Sequence, residues 1–298
     1  MDLLVDYPLD VAVKRGPMTI HPVSKLVGFH QDGAAPILVK TKKTKDRGLS
    51  TKKIGTANTI GLVAHPKGIG AQSRTSIAFF DAFANKLASV STKASFSTDG
   101  YAVNGIWGYE GGRGKPLKVV FVGADLEPRE FSPLPKDKSG MGLYALPKGK
   151  GAVLMCGTWE EREVFVFRHD GSVQECGSGR YGWGGYIALH KDSGVEYVDA
   201  VGNPVDGSKI AAKSVLTAEG AQPFSAGDEV SGEPALLLTG VRLDDGNREV
   251  SKKLFSLPEP GPILAWDLIG SRVGWVTPTG IKVAASSSLE WLDAGQKQ

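Results

Sequence analysis

The sequence predicts an all-β protein built from repeated pairs of short strands. Among its 298 residues are 39 glycines and 17 prolines, and 41% of the chain is hydrophobic while 22% is charged. These proportions are typical of a globular chain with many turns between short strands. The length allows one large all-β domain or two smaller domains. We expect a single domain over residues 1–298.

The best-formed strand pair is the segment EVFVFRHDGSVQEC at Glu163 to Cys176. Residues 164–167 are β-branched or aromatic and predict a strand. Asp170 and Gly171 predict a tight turn, because glycine accepts the positive φ that such turns require. The residues up to Cys176 then predict the returning strand. Weaker copies of this pair recur along the chain.

The remaining elements follow in chain order. Residues 3–13 alternate apolar and polar side chains, which predicts a hairpin or a single strand that pairs with the end of the chain. Further strands or strand pairs are predicted at 25–40, 60–65, 77–90, 104–109, 119–131, 152–157, 185–190, 195–205, 235–250 and 263–283. The apolar residues of 77–90 also fit a short helix. We prefer a hairpin there because of its place in the series.

The predicted turns recur at a regular interval. They lie near residues 33, 85, 126, 171, 202, 246 and 280, about 41 residues apart on average. A unit of three or four strands at this period is the signature of a β-propeller blade. Over most of its length the chain therefore resembles the β-propeller superfamily.

The resemblance implies about seven blades of three to four antiparallel strands. It also implies that a strand from residues 3–13 closes the last blade beside residues 274–283, which leaves no open sheet edge. No subfamily is identified, because Trp266-Asp267 occurs once and the Asp-box-like Ser97 to Gly100 lacks its closing tryptophan. Six or eight blades, two β-sandwiches or an irregular all-β protein are the alternatives.

The cysteines and the N-terminus indicate a soluble, cytoplasmic protein. Cys156 and Cys176 are expected two strands apart in one blade, roughly 9–10 Å. This separation is too long for a disulfide, and reduced thiols fit a cytosol-like compartment. The start, MDLLVDYPLD, lacks the basic residues and apolar run of a signal peptide, and no segment is long enough to span a bilayer.

No catalytic or metal-binding pattern stands out, so we predict no cofactor and no metal site. The five histidines lack HxH and HExxH spacing and are interpreted as turn and strand-end residues. His65 and His190 stand at the ends of comparable predicted strands. Paired carboxylates, either Asp99 with Glu110 or residues 160–161, keep a glycosidase as an alternative.

Two segments are candidate binding sites. The first is a predicted exposed loop or insertion at 41–53 with its flanking lysine. Its basic residues are Lys40, Lys42, Lys43, Lys45, Arg47, Lys52 and Lys53. Only Asp46 opposes them, so an anionic partner or nucleic acid is expected there, or else the segment is a solvated loop. It contains no aromatic residue on which a base could stack.

The second segment is the Gly-rich stretch GSGRYGWGG at 177–185. Arg180, Tyr181 and Trp183 on this predicted loop are plausible contact anchors, because arginine and aromatic residues dominate protein interfaces. The alternative is that Trp183 packs between adjacent blades.

These observations favour a non-catalytic binding platform that mediates protein–protein contacts within a larger assembly. This prediction follows from the fold rather than from an identified site. The alternatives are a propeller hydrolase, glycosidase- or esterase-like, with its site at the mouth of the axial channel, and nucleic-acid contact through the basic loop.

Overall fold

The computed structural model describes residues 3–8, 17–24, 26–30, 34–41, 49–112, 115–131, 134, 139–157, 162–182, 186–199, 201–206, 222–223, 235–244, 247–256, 264–269, 272–278, 280–285 and 291–293. Apart from one 3-10 turn at Pro147–Gly149, the regular structure of these residues is antiparallel β. The chain divides into two compact units. A single domain over 1–298 stays a prediction.

The first unit comprises Met1–Lys93, Gly220–Leu238 and Lys252–Gln298. Two of its sheets are four-stranded meanders, in which each strand pairs with the next one along the chain. The first contains β2 (Met18–Ile20), β3 (Leu26–Phe29), β4 (Ile37–Thr41) and β5 (Leu49–Lys53). The second contains β6 (Gly61–His65), β7 (Gly68–Gln72), β8 (Ser76–Phe80) and β9 (Lys86–Ser91). Residues 77–90 therefore contribute to a hairpin and not to a helix.

The N-terminal strand completes a sheet formed by the end of the chain. This sheet has the order β1-β25-β24-β23. Its strands are β1 (Leu3–Pro8), β23 (Ala265–Ile269), β24 (Arg272–Thr277) and β25 (Gly280–Ala285). Val5 is the register partner of Val283, and Pro8 that of Gly280. The predicted closure by the N-terminal strand is confirmed.

A further sheet takes its last strand from the C-terminal tail. Its order is β20-β21-β22-β26. The strands are β20 (Gln222–Pro223), β21 (Ala235–Asp244), β22 (Asn247–Ser256) and β26 (Trp291–Asp293). Phe255 pairs with Trp291, so residues beyond β25 return to an earlier sheet.

The second unit comprises Ala94–Glu219 and Thr239–Ser251. It contains a four-stranded and a six-stranded sheet, both in chain order. The first has β10 (Ser95–Ala102), β11 (Gly105–Gly112), β12 (Lys115–Gly123) and β13 (Pro128–Glu130). The second has β14 (Gly140–Ala145), β15 (Ala152–Gly157), β16 (Arg162–Phe167), β17 (Val173–Gly182), β18 (Tyr186–Lys191) and β19 (Gly194–Asp199).

Strand β17 belongs to two successive blades. Residues 173–178 of this strand pair with β16, whereas residues 179–182 pair with β18. The six-stranded sheet is thus a four-stranded blade followed by a second one that shares β17. With this division, the described strands form seven blades, in agreement with the predicted number of about seven.

Both faces of the β15–β16 hairpin are buried within the second unit. On one face, Leu154 and Phe165 belong to a core cluster with Trp107 of β11. On the other face, Val153 belongs to a separate cluster with Ile187 of β18. A sheet covered on both sides has strands that are apolar at consecutive positions, as the sequence predicted for residues 165–167.

The two cysteines lie on strands that are not neighbours. Cys156 is on β15 and Cys176 is on β17, with β16 between them. Both are free thiols. The separation of two strands is the one predicted.

Replacing Val5 by Asp should lower the free energy of unfolding by about 3 kcal/mol or more, because a charge would enter the core. Val5 is only 3% exposed in the closing strand. Urea denaturation measures the change. The same substitution at Val103, which is 66% exposed, should change the free energy by less than about 0.5 kcal/mol. Equal stability of the two variants would contradict closure by β1.

Candidate interaction surface

The turn after β2 is held by its own histidine and by a distant arginine. His21 Nδ1 accepts the backbone N–H groups of Val23 and Ser24 at 3.2 and 3.0 Å. The Arg272 guanidinium donates to the carbonyl oxygens of His21 at 2.9 Å and Val23 at 3.1 Å. It also donates to the carbonyl of Ser24. These bonds fix the turn, yet Val23 is 74% exposed at its tip.

The buried His21 ring is neutral in this arrangement. Its Nε2 donates to the carbonyl oxygen of His65 at 3.0 Å, which leaves Nδ1 as the acceptor for the turn. Burial lowers the pKa of His21, and the positive charge of Arg272 acts in the same direction. The hydrogen bond to His65 opposes this shift only in part. A second ring proton, on Nδ1, would point at the backbone N–H groups of Val23 and Ser24, so the charged ring is disfavoured.

A second rigid turn joins β8 to β9 and has the sequence DAFAN at 81–85. The Asp81 carboxylate accepts the backbone N–H groups of Phe83 and Asn85 at 2.8 and 2.9 Å. Its other oxygen accepts the Asn85 side-chain amide at 2.9 Å. Ala84 closes the turn with a φ of 63°. Phe83 projects from the centre of this turn and is 62% exposed.

The same turn recurs in the second unit, after β19, with the sequence DAVGN at 199–203. Asp199 accepts the backbone N–H groups of Val201 and Asn203 at 2.9 Å each. The Asn203 amide donates to its other oxygen at 3.0 Å. Gly202, with a φ of 90°, stands where the first turn has Ala84. Val201 occupies the tip and is 49% exposed.

A fourth exposed apolar residue lies on the turn between β10 and β11. Val103 is 66% exposed. The backbone carbonyl oxygen of the neighbouring Asn104 accepts the backbone N–H of Ala124 at 3.0 Å. The Asn104 side-chain amide donates to the Gly149 carbonyl oxygen at 3.4 Å. His169 Nε2 also donates to that carbonyl, at 2.9 Å. Turns of the second unit are therefore tied to one another, as His21 ties turns in the first.

The structure revises the predicted basic loop. Residues 49–53 form β5, so the loop over 41–53 was predicted too long. Lys52 Nζ donates to the Phe83 carbonyl at 2.9 Å, and Lys40 Nζ lies 3.9 Å from the centre of the Phe83 ring. Lys53 is exposed on β5. The other candidates, Lys42, Lys43, Lys45 and Arg47, lie outside the described residues.

The predicted Arg-Tyr-Trp loop is also shorter than expected. Arg180 and Tyr181 belong to β17 and pair in register with Ala188 and Ile187. The loop prediction was wrong for these two because the strand continues into the next blade. Trp183 lies outside the described residues, so its predicted contact role stays a prediction.

Of the candidate catalytic residues, Glu160 and Glu161 lie outside the described part of the chain, and the others lie on separate strands. His65 is fully buried at the end of β6, where Nδ1 accepts the Lys67 backbone N–H at 3.2 Å. His190 is exposed one residue before the end of β18, which pairs with a strand on each side, whereas β6 is the outermost strand of its sheet. Asp99 and Glu110 lie on neighbouring strands but are not register partners. No group of three metal-ligating side chains occurs among the described residues.

Solved β-propeller structures are similar to this chain. The β-propeller domain of Cps50 (Swd1) from Myceliophteria thermophila matches with a TM-score of 0.51 and 8% identity, over 94% of this chain and 99% of that chain. The Pan2 WD40 domain of Neurospora crassa has a TM-score of 0.47 and 10% identity, over 92% and 89%. U3-55K has a TM-score of 0.47 and 10% identity, over 93% and 97%.

The match to the Cps50 (Swd1) β-propeller domain, together with the series of antiparallel sheets, establishes the class of fold. The chain is a β-propeller, as its sequence predicted, and no subfamily is assigned. No protein-family model and no curated protein matches the sequence. In the part of the chain that the structure describes, no helix is long and apolar enough to cross a membrane.

Acidification should destabilise the protein through His21. Because its folded pKa is lowered, His21 contributes stability above its unfolded pKa of about 6.5 and loses it as the pH falls through the folded value. The melting temperature should therefore fall between about pH 8 and about pH 5, and His21→Asn, which does not titrate, should flatten this fall. His190→Asn is the control and should keep the wild-type slope; an equally steep slope in His21→Asn would contradict the assignment.

Replacing Asp81 by Ala should loosen the DAFAN turn locally. Each lost hydrogen bond contributes about 1 kcal/mol, so amide hydrogen exchange at Phe83 and Asn85 should accelerate about fivefold or more. Nuclear magnetic resonance measures these rates. Asp199→Ala is the matched control and should accelerate exchange at Val201 and Asn203 only. Unchanged exchange at Phe83 in Asp81→Ala would show that the carboxylate does not hold the turn.

Proposed function

We propose that this chain is a non-catalytic, cytoplasmic β-propeller platform that binds protein partners within a larger assembly, and that residues 1–298 act as one domain. One observation carries the proposal. Apolar side chains are presented to solvent at the tips of turns that hydrogen bonds hold in place. These are Val23, Phe83, Val103 and Val201.

Exposed apolar residues are common on proteins, and a single one needs no explanation. Here the side chains sit on turns that hydrogen bonds hold in place rather than on mobile loops. Two of them occupy the same position of one repeated motif, DAFAN and DAVGN. A side chain that is already ordered loses little entropy on binding, so a rigid tip gives more affinity than a flexible one.

Support for the alternative, a hydrolase, is weaker. The candidate residues Asp99 and Glu110 are not register partners. The buried histidines of the first unit hold backbone groups, as His21 does in its turn. A general base has to reach a substrate proton directly or through one water. A protein-binding platform therefore has more support than a hydrolase.

The test is quantitative partner capture by the full chain and by four single variants, each changing one tip residue to serine. At least one partner captured by the wild type should fall about tenfold with one variant, as expected for an interface hot spot, at an unchanged melting temperature.

Lys191→Ser, at an exposed position on β18 that is not on any of the four turns, is the control and should capture every partner as the wild type does. Identical capture by all four tip variants would overturn the proposal. So would turnover of a glycoside or ester by the isolated chain that survives all four changes.

A further inference from the structure

We propose that the surface around Phe83 binds an acidic peptide segment of a partner protein that carries an apolar side chain. We call it the Phe83 surface and define it by Lys40, Lys52 and Phe83. The inference rests on the proposed platform function and names the class of partner that this part of the platform recognises.

The Phe83 surface combines an apolar centre with fixed positive charge. Phe83 is 62% exposed. The flanking Ala82 and Ala84 are partly buried against the core, so the turn is anchored on both sides of the aromatic ring. An apolar side chain of a partner would find a preformed contact here.

Two lysines hold their charges beside this ring. Lys52 is the register partner of Leu38, two residues from Lys40, so Lys40 and Lys52 share one face of the first sheet. The Lys40 ammonium lies 3.9 Å from the Phe83 ring centre, and the Lys52 ammonium is 2.9 Å from the Phe83 carbonyl oxygen. Holding the side chains in place reduces the entropy that a carboxylate contact would otherwise cost.

The stretch of sequence that contains these residues carries mostly positive charge. Residues 34–93 include eleven Lys and Arg but only two acids, a net charge of +9 in a chain whose total is +3. Of the two acids, Asp46 lies outside the described residues. Asp81 uses both carboxylate oxygens within its own turn. A positive field of this kind favours and steers a negatively charged partner.

The apolar part favours a peptide over a nucleic acid. Single-stranded nucleic acids are bound by several aromatic rings on which successive bases stack. Among the described residues of the Phe83 surface, Phe83 is the single aromatic ring. An exposed aromatic ring suits a Leu, Ile or Phe side chain of a partner, while the lysines suit carboxylates.

The experiment uses the full chain and fluorescence anisotropy with a labelled peptide of Asp and Glu residues that has Leu-Phe at its centre. A second peptide of equal charge has Ser-Ser instead, and labelled oligothymidylate represents nucleic acid. The Leu-Phe peptide should bind, and the Ser-Ser peptide should bind about tenfold more weakly. Raising the salt from about 0.05 to about 0.5 M should weaken both.

The variants separate the apolar and the charged parts. Phe83→Ser should weaken Leu-Phe peptide binding about tenfold and leave the Ser-Ser peptide unaffected. Lys52→Gln and Lys40→Met should weaken both peptides and reduce their salt dependence. Lys191→Gln, which removes the charge of an exposed lysine on β18 of the second unit, is the control; the affinity of this variant should stay within about twofold of the wild type.

Peptide binding that Phe83→Ser does not weaken, or an absence of peptide binding by the folded wild type, would overturn the proposal. Tighter binding of oligothymidylate with the same sensitivity to Phe83→Ser and Lys52→Gln would replace the peptide by a nucleic acid. If the peptide fails while Phe83→Ser still loses a captured partner, the acidic class is wrong and the platform function stands. If no tip variant loses a partner but the peptide behaves as expected, the platform proposal fails independently.

Discussion

A small antiparallel sheet that is apolar on both faces must be covered on both faces, and the rest of this structure depends on that constraint. Buried Leu154 and Val153 are consecutive residues of β15 but belong to separate core clusters, each completed by a different neighbouring blade. In the first unit, Leu38 of one sheet similarly packs with Leu62 and Ile69 of the next. An isolated blade would leave both of these faces in water, so each blade is stable only beside others.

The same constraint accounts for the treatment of the chain ends. A sheet lacking its outer strand would expose unpaired backbone groups along an edge. Here β1 supplies the strand beside β25, and β26 returns to pair with β22. Val5 is buried in the first of these pairings, so the closing strand contributes to the core as well as to the ladder. Closure is therefore a packing requirement and not only a matter of backbone hydrogen bonds.

The sequence predicted the elements whose side chains carry the signal. Strands rich in β-branched and aromatic residues, such as β16, and turns containing Asp-Gly could be recognised because their chemistry is local. Strand β7, with the sequence GIGAQ, was missed because glycine is depleted in strands. The structure shows why glycine is needed at position 70: a Cβ there would lie 2.8 Å from Ile77 Cδ1 and 3.0 Å from Val63 Cγ2. This reason depends on contacts made after folding.

The candidate surface was harder to predict for a related reason. The basic residues near Lys40 were identified from charge alone, but the aromatic residue that accompanies them lies some forty positions later in the chain. Only strand pairing and blade packing bring Lys40 and Lys52 to Phe83. One signal was present in the sequence and was overlooked: DAFAN and DAVGN share Asp, Ala and Asn at matching positions of two predicted turns. Those are the residues that form or flank the turn.

The two DAxxN turns show how a repeat fold separates stability from recognition. Corresponding hydrogen-bond distances in the two turns agree to within about 0.1 Å, so the same Asp and Asn contacts hold both turns. The two turns differ in the side chain at the centre, which is Phe83 in one and Val201 in the other. Among the described contacts, lysines from a neighbouring sheet surround Phe83 but not Val201. Because the turn is already satisfied by its Asp and Asn, the central position can vary without affecting the fold. Partner specificity is therefore expected to depend on this position and on the charges beside it.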